Sequence, residues 1–68
     1  MDDNKWAEIL GLSNQLDLTV YGPFPERGYR IVGPGWETYR EKPDQVLDTL
    51  QFLAQGGQIQ VTFLSESV

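Results

Sequence analysis

At Lys42-Pro43-Asp44 the spacing of apolar residues changes from every second position to about one helical turn, so strands must give way to a helix there. Downstream, Val46, Leu47, Leu50, Leu53 and Ala54 form one stripe with Phe52 at its border. Proline suits the first helical position, where its missing N–H costs nothing, and Asp44 meets the positive end of the helix dipole. Gly56-Gly57 closes the helix, one glycine supplying a left-handed residue after the last turn. Gln58 to Phe63 then alternates, which predicts a last strand with Ile59, Val61 and Phe63 inward.

Upstream, the period is two. Leu16 to Val20 reads as a strand with Leu16, Leu18 and Val20 on one face. Two prolines and two glycines between Gly22 and Gly28 predict a loop of about five to seven residues. Tyr29 to Val32 is rich in strand formers. Gly33-Pro34-Gly35 follows, with Pro34 and Gly35 placed for a type II turn. Trp36 to Arg40 is a third strand, with Trp36, Thr38 and Arg40 on one face and Glu37 and Tyr39 on the other. At the amino terminus, Asp2 or Asp3 can cap a short helix carrying Trp6, Ile9 and Leu10 and ending at Gly11; the alternative is a frayed tail, since isolated helices of this length are marginal.

The expected fold class is α+β in the order α-β-β-β-α-β, one small domain over 1–68 with a loose tail from about residue 65. One main helix covers one face of a four-stranded, mostly antiparallel sheet. A strand-helix-strand crossover would leave the last strand parallel to the first and third. The regular alternation of the first strand suits an interior position and the mixed third strand suits an edge, giving a suggested spatial order 4-1-2-3.

A chain of 68 residues withdraws only about 60% of its unfolded surface from water, leaving little material for a dedicated active site. With neither cysteine nor histidine, it lacks a disulfide framework, a thiolate nucleophile and the commonest general base and zinc ligand. These gaps favour a reducing, cytoplasmic setting and a protein that is not an enzyme, with no cofactor and no metal. No apolar run approaches the roughly 20 residues of a membrane span, and Met1-Asp2-Asp3-Asn4 does not read as an export signal. The net charge of −5 makes nucleic acid a poor partner. The glycine-containing stretches are turns rather than phosphate cradles, because neither leaves a strand to open a helix. Asp44 and Asp48, four apart, read as a solvated helix face.

The charge is lopsided. Residues 26–42 hold Arg27, Arg30, Arg40 and Lys42 against Glu26, Glu37 and Glu41, a local balance of +1, whereas 1–25 and 43–68 carry −3 each. Five of the eight aromatics, Tyr21, Phe24, Tyr29, Trp36 and Tyr39, fall in or beside this segment. Arginine with aromatic side chains is the composition of interface hot spots. The candidate partner-binding residues are therefore Arg27, Tyr29, Arg30, Trp36, Tyr39 and Arg40. Competing with this, Tyr21, Tyr29 and Trp36 could complete a small core while the arginines pair with Glu26, Glu37 and Glu41 across strands. Arg30 would face Thr38 or Glu37, depending on hairpin register.

The runs Gly28-Tyr29-Arg30-Ile31-Val32-Gly33 and Trp36-Glu37-Thr38-Tyr39, then Pro43-Asp44-Gln45-Val46-Leu47 and Gly56-Gly57-Gln58-Ile59, resemble small uncharacterised cyanobacterial proteins of similar length. The resemblance fits a cytoplasmic protein and carries no site residue. The function expected is a non-catalytic protein-interaction module built on the hairpin 27–42, its partner another protein. The alternative is an accessory or small-ligand-binding subunit of a larger enzyme, with walls from Tyr21, Phe24 and Trp36. Third comes weak binding of single-stranded nucleic acid, by stacking of bases on the aromatic rings.

Overall fold

Pro34 and Gly35 reverse the chain between β2 (Gly28–Gly33) and β3 (Trp36–Arg40), with Gly35 at φ 82°, the value a type II turn requires at its third residue. A computed structural model describes residues 3–64; Met1, Asp2 and the tail expected from residue 65 lie outside the described residues. The two-residue turn sets the hairpin register: Gly33 opposes Trp36, Ile31 opposes Thr38, Arg30 opposes Tyr39 and Tyr29 opposes Arg40. Arg30 therefore faces neither Thr38 nor Glu37 directly. Gly33 lies under the Trp36 indole, where a β-carbon would collide with the ring.

On the other side of β2, β1 (Thr19–Phe24) pairs antiparallel, with Val20 opposite Ile31 and Tyr21 opposite Arg30. The register then shifts before Phe24 meets Gly28, across a cis Gly22–Pro23 bond. This irregularity accommodates Pro23 within an edge strand. Pairing thus extends through Phe24, and the connection expected over 22–28 shrinks to residues 25–27.

Helix α1 (Asp3–Gln15) is not short and does not stop at Gly11. Ile9 and Ser13 are buried on one face, with Trp6, Leu12 and Leu16 packed at its margin, so tertiary docking overrides the roughly 1 kcal/mol that an interior glycine costs. Leu10, expected on this face, is exposed. The helix closes where the Asp17 N–H donates to the Asn14 carbonyl and the Leu18 N–H to the Ser13 carbonyl, with Asp17 itself left-handed at φ 62°. Leu16 and Leu18 consequently belong to the helix end and its connection, not to β1, although both pack against the core.

Helix α2 (Pro43–Ala54) begins as the sequence predicts, with Pro43 in its first turn. The Gln45 side-chain oxygen accepts the N–H groups of Glu41 and Lys42, both at 3.1 Å. Gly56 at φ 91° ends it, its N–H bonded to Leu53 O at 3.0 Å while the Gly57 N–H reaches Phe52 O at 2.9 Å. Val46, Thr49 and Leu50 are its buried residues; Leu47 and Leu53 are half-buried, and Ala54 and Phe52 are exposed.

The last strand departs from expectation. Strand β4 is only Thr62–Phe63, antiparallel to β3 through Trp36–Phe63 and Glu37–Thr62 pairs. The sheet order is β1-β2-β3-β4, not 4-1-2-3. Residues 55–61 intervene between helix and strand, enough chain to reverse direction, so the handedness rule for direct crossovers does not apply. Ile59 and Val61 are half-buried, but Phe63 is 79% exposed.

Both helices lie on one side of the sheet. Ile9, Val20, Tyr29, Ile31, Val46 and Leu50 form the buried cluster between the layers, and the Trp6 and Tyr29 rings meet at 5.9 Å. A Lys5–Asp44 ion pair joins α1 to α2.

Leu50→Ala is expected to cost about 2–5 kcal/mol, read as a shift in the urea midpoint, because the side chain is fully buried. Asp17→Gly should instead stabilise the protein by about 1 kcal/mol. Glycine relieves the left-handed strain and removes a negative charge from the negative end of the α1 dipole. Thermal unfolding would register this as a higher midpoint.

Candidate functional site

The hairpin register sorts the aromatic and basic residues onto two faces. Tyr29, Ile31 and Gly33 of β2 share the helix-covered face with Arg40, Thr38 and Trp36 of β3. The opposite face carries two rows: Tyr21, Arg30 and Tyr39 in one, and Thr19, Val32, Glu37 and Thr62 in the other. No residue of these rows is fully buried.

The six candidate residues divide accordingly. Tyr29 is 4% exposed, packed on Trp6, and belongs to the core. Trp36 is half-buried with its indole on Gly33. The Arg40 guanidinium is engaged in the protein: Nε donates to Thr49 Oγ1 at 2.9 Å, and one terminal nitrogen donates to Thr38 Oγ1 at 2.9 Å and to the Tyr39 carbonyl at 2.7 Å. It ties β3 to α2. Arg27, Arg30 and Tyr39 come together on or beside the open face.

There the two guanidiniums differ. Arg30 Nε donates to Glu37 Oε1 at 2.5 Å, and its guanidinium carbon sits 5.9 Å from the centre of the Tyr21 ring. The hydrogen bond to Glu37 raises the Arg30 pKa further above its ordinary high value, against a smaller opposing effect of desolvation. Arg30 is thus cationic at every accessible pH, with its charge balanced locally. Arg27 lies 5.6 Å from the centre of the Tyr39 ring and donates at 3.4 Å to the Tyr39 hydroxyl. Among the described residues it pairs with no carboxylate.

Phe24, Pro25, Glu26, Arg27, Arg30 and Tyr39 line a groove of about 560 Å³. A second depression of about 340 Å³, bounded by Glu26, Arg27, Tyr39, Arg40 and Glu41, adjoins it across their shared residues. Neither lies between sheet and helix. Phe24 is 41% exposed and Tyr21 46%. The aromatic walls expected from Tyr21, Phe24 and Trp36 do not assemble, because Trp36 faces the helices.

Tyr21 and Phe24 are the aromatic residues of this face that the hairpin 27–42 omits. Alternation along the first strand would have found Tyr21, since it follows the inward Val20 and so faces outward, opposite Arg30. Phe24 carries no such signal, because the register shift precedes it. Among the described residues, no three His, Cys, Asp or Glu side chains gather as a metal site, and no helix is long and apolar enough to cross a membrane.

No family model matches the chain, and no curated protein or solved structure matches it.

The two faces differ in what a truncation should cost. Tyr29→Ala is expected to lose about 3–5 kcal/mol, whereas Tyr39→Ala, half-exposed on the open side, should lose less than about 1 kcal/mol. Parallel urea titrations would separate them; equal losses would place Tyr39 in the stabilising core.

Proposed function

We propose that this protein is a non-catalytic protein-interaction module whose partner lies on the open face of the sheet, with Tyr21, Phe24, Arg27, Arg30 and Tyr39 as the contacting residues. The observation that carries this reading is the one-sided placement of both helices, which leaves arginines and rings on the opposite face accessible. Rings and guanidiniums supply large contact area with little conformational freedom to lose, which is why few of them suffice to anchor an interface. Tyr29, Trp36 and Arg40 drop out of the contact set, since their side chains serve the fold.

Small-ligand binding is the second reading, and one observation favours it: the groove volume falls within the range of about 300–1,000 Å³ common for ligand sites. Its charged, hairpin-end setting fits a protein surface better than an enclosed apolar site. A phosphate-rich strand is opposed by Glu26 and Glu37, which stand beside Arg27 and Arg30.

Photo-crosslinking tests the proposal. With benzoylphenylalanine in place of Phe24, a defined protein adduct is expected in lysate of the source organism, absent when the same group replaces Asp48 on α2. Adding Arg27→Glu should abolish it. Equal crosslinking from both positions, or none from position 24, would overturn the reading.

A further inference from the structure

We infer that the groove beside Arg27 receives a single carboxylate flanked by a large apolar side chain, presented by a short segment of the partner protein. This deepens the proposed function and rests on it.

A guanidinium carries five N–H donors. Arg27 makes one long bond, to the Tyr39 hydroxyl, and Arg30 makes one, to Glu37, so most of their donors have no acceptor among the described residues. Their charges are not equally available. Glu37 already compensates Arg30, while Arg27 has no carboxylate among the described residues.

Of the two cations lining the groove, Arg27 is thus the one without a carboxylate among the described residues, and it is held against the Tyr39 ring. Lying over an aromatic ring limits the freedom of a long side chain, and with one terminal nitrogen on the Tyr39 hydroxyl the other N–H donors remain for a planar carboxylate. Phe24 and Pro25 form the apolar part of the lining, rigid and carrying no donors of their own. They match an aliphatic or aromatic neighbour of the acid.

The same inventory decides against a phosphate. Glu37 is already paired with Arg30 and Glu26 lines the groove, so a dianion would bring two charges to one uncompensated cation with a carboxylate beside it. The chain as a whole carries −5, which further disfavours a densely charged occupant. A monovalent acid embedded in apolar surface is the better match.

Selection of displayed random peptides on the intact protein tests this directly, with nitrogen-edited NMR titration of the enriched sequences as amide peptides. Enriched peptides are expected to share an Asp or Glu next to a large apolar residue and to shift the amides of residues 24, 26, 27 and 39. Changing the acid to its amide should weaken binding about tenfold, as should Arg27→Gln, and the two changes together should cost little more than either alone. Enriched peptides without an acid, peptides whose shifts map elsewhere, tighter binding of the phosphoserine version, or no enrichment would each overturn the inference. Failure here with a specific adduct from position 24 removes only the carboxylate specificity. Failure of both removes the binding face itself.

Discussion

Ile31 sits at the centre of the one apolar layer that this chain closes. It is fully buried, flanked on the sheet by Val20 and Thr38 and grouped with Ile9, Val46 and Leu50 from the two helices. A chain of this length has enough apolar residues for one such layer and no more, in keeping with the poor ratio of interior to surface in small domains. Two helices on the same side of the sheet therefore exclude a third layer on the other. The bare outer face is a consequence of size, and what evolution places there is free of the demands of packing.

That separation explains how three arginines close in sequence come to do different things. Arg40 points to the covered side and spends its donors on two threonine hydroxyls and a carbonyl, joining β3 to α2. Arg30, ten residues earlier and on the other face, is balanced by Glu37 across the hairpin. Arg27, in the turn between β1 and β2, rests on a ring and has no counter-charge among the described residues. Residue type alone put all three in one group; strand parity and turn register divide them.

The features readable in the chain were those dictated by local chemistry. Pro34-Gly35 admits one kind of turn, Pro43 can start a helix but not continue one, and Gly56 accepts a left-handed backbone, so the β2–β3 hairpin and α2 follow from short stretches. What escaped was decided at long range. Gly11 looks like a stop until Ser13 is buried and Leu16 packs against the core, and Leu16 and Leu18 alternate like a strand although a left-handed Asp17 separates them. The direction of β4 depended on the path of residues 55–61, for which no local rule exists. For the site, the mixture of arginine and aromatics was legible, but its division between two faces required the register, and Phe24 joined it only through the irregularity in β1.

The two tryptophans occupy different parts of this architecture. Trp6 contacts Tyr29 across the helix–sheet boundary, while the Trp36 indole covers Gly33 at the closed end of the hairpin, opposite Phe63 of the last strand. The molecule thus contains a pair of intrinsic optical reporters, one sensitive to docking of the first helix and the other to closure of the β-meander. Replacing either by phenylalanine would let emission follow each half of the assembly process separately, with no foreign label.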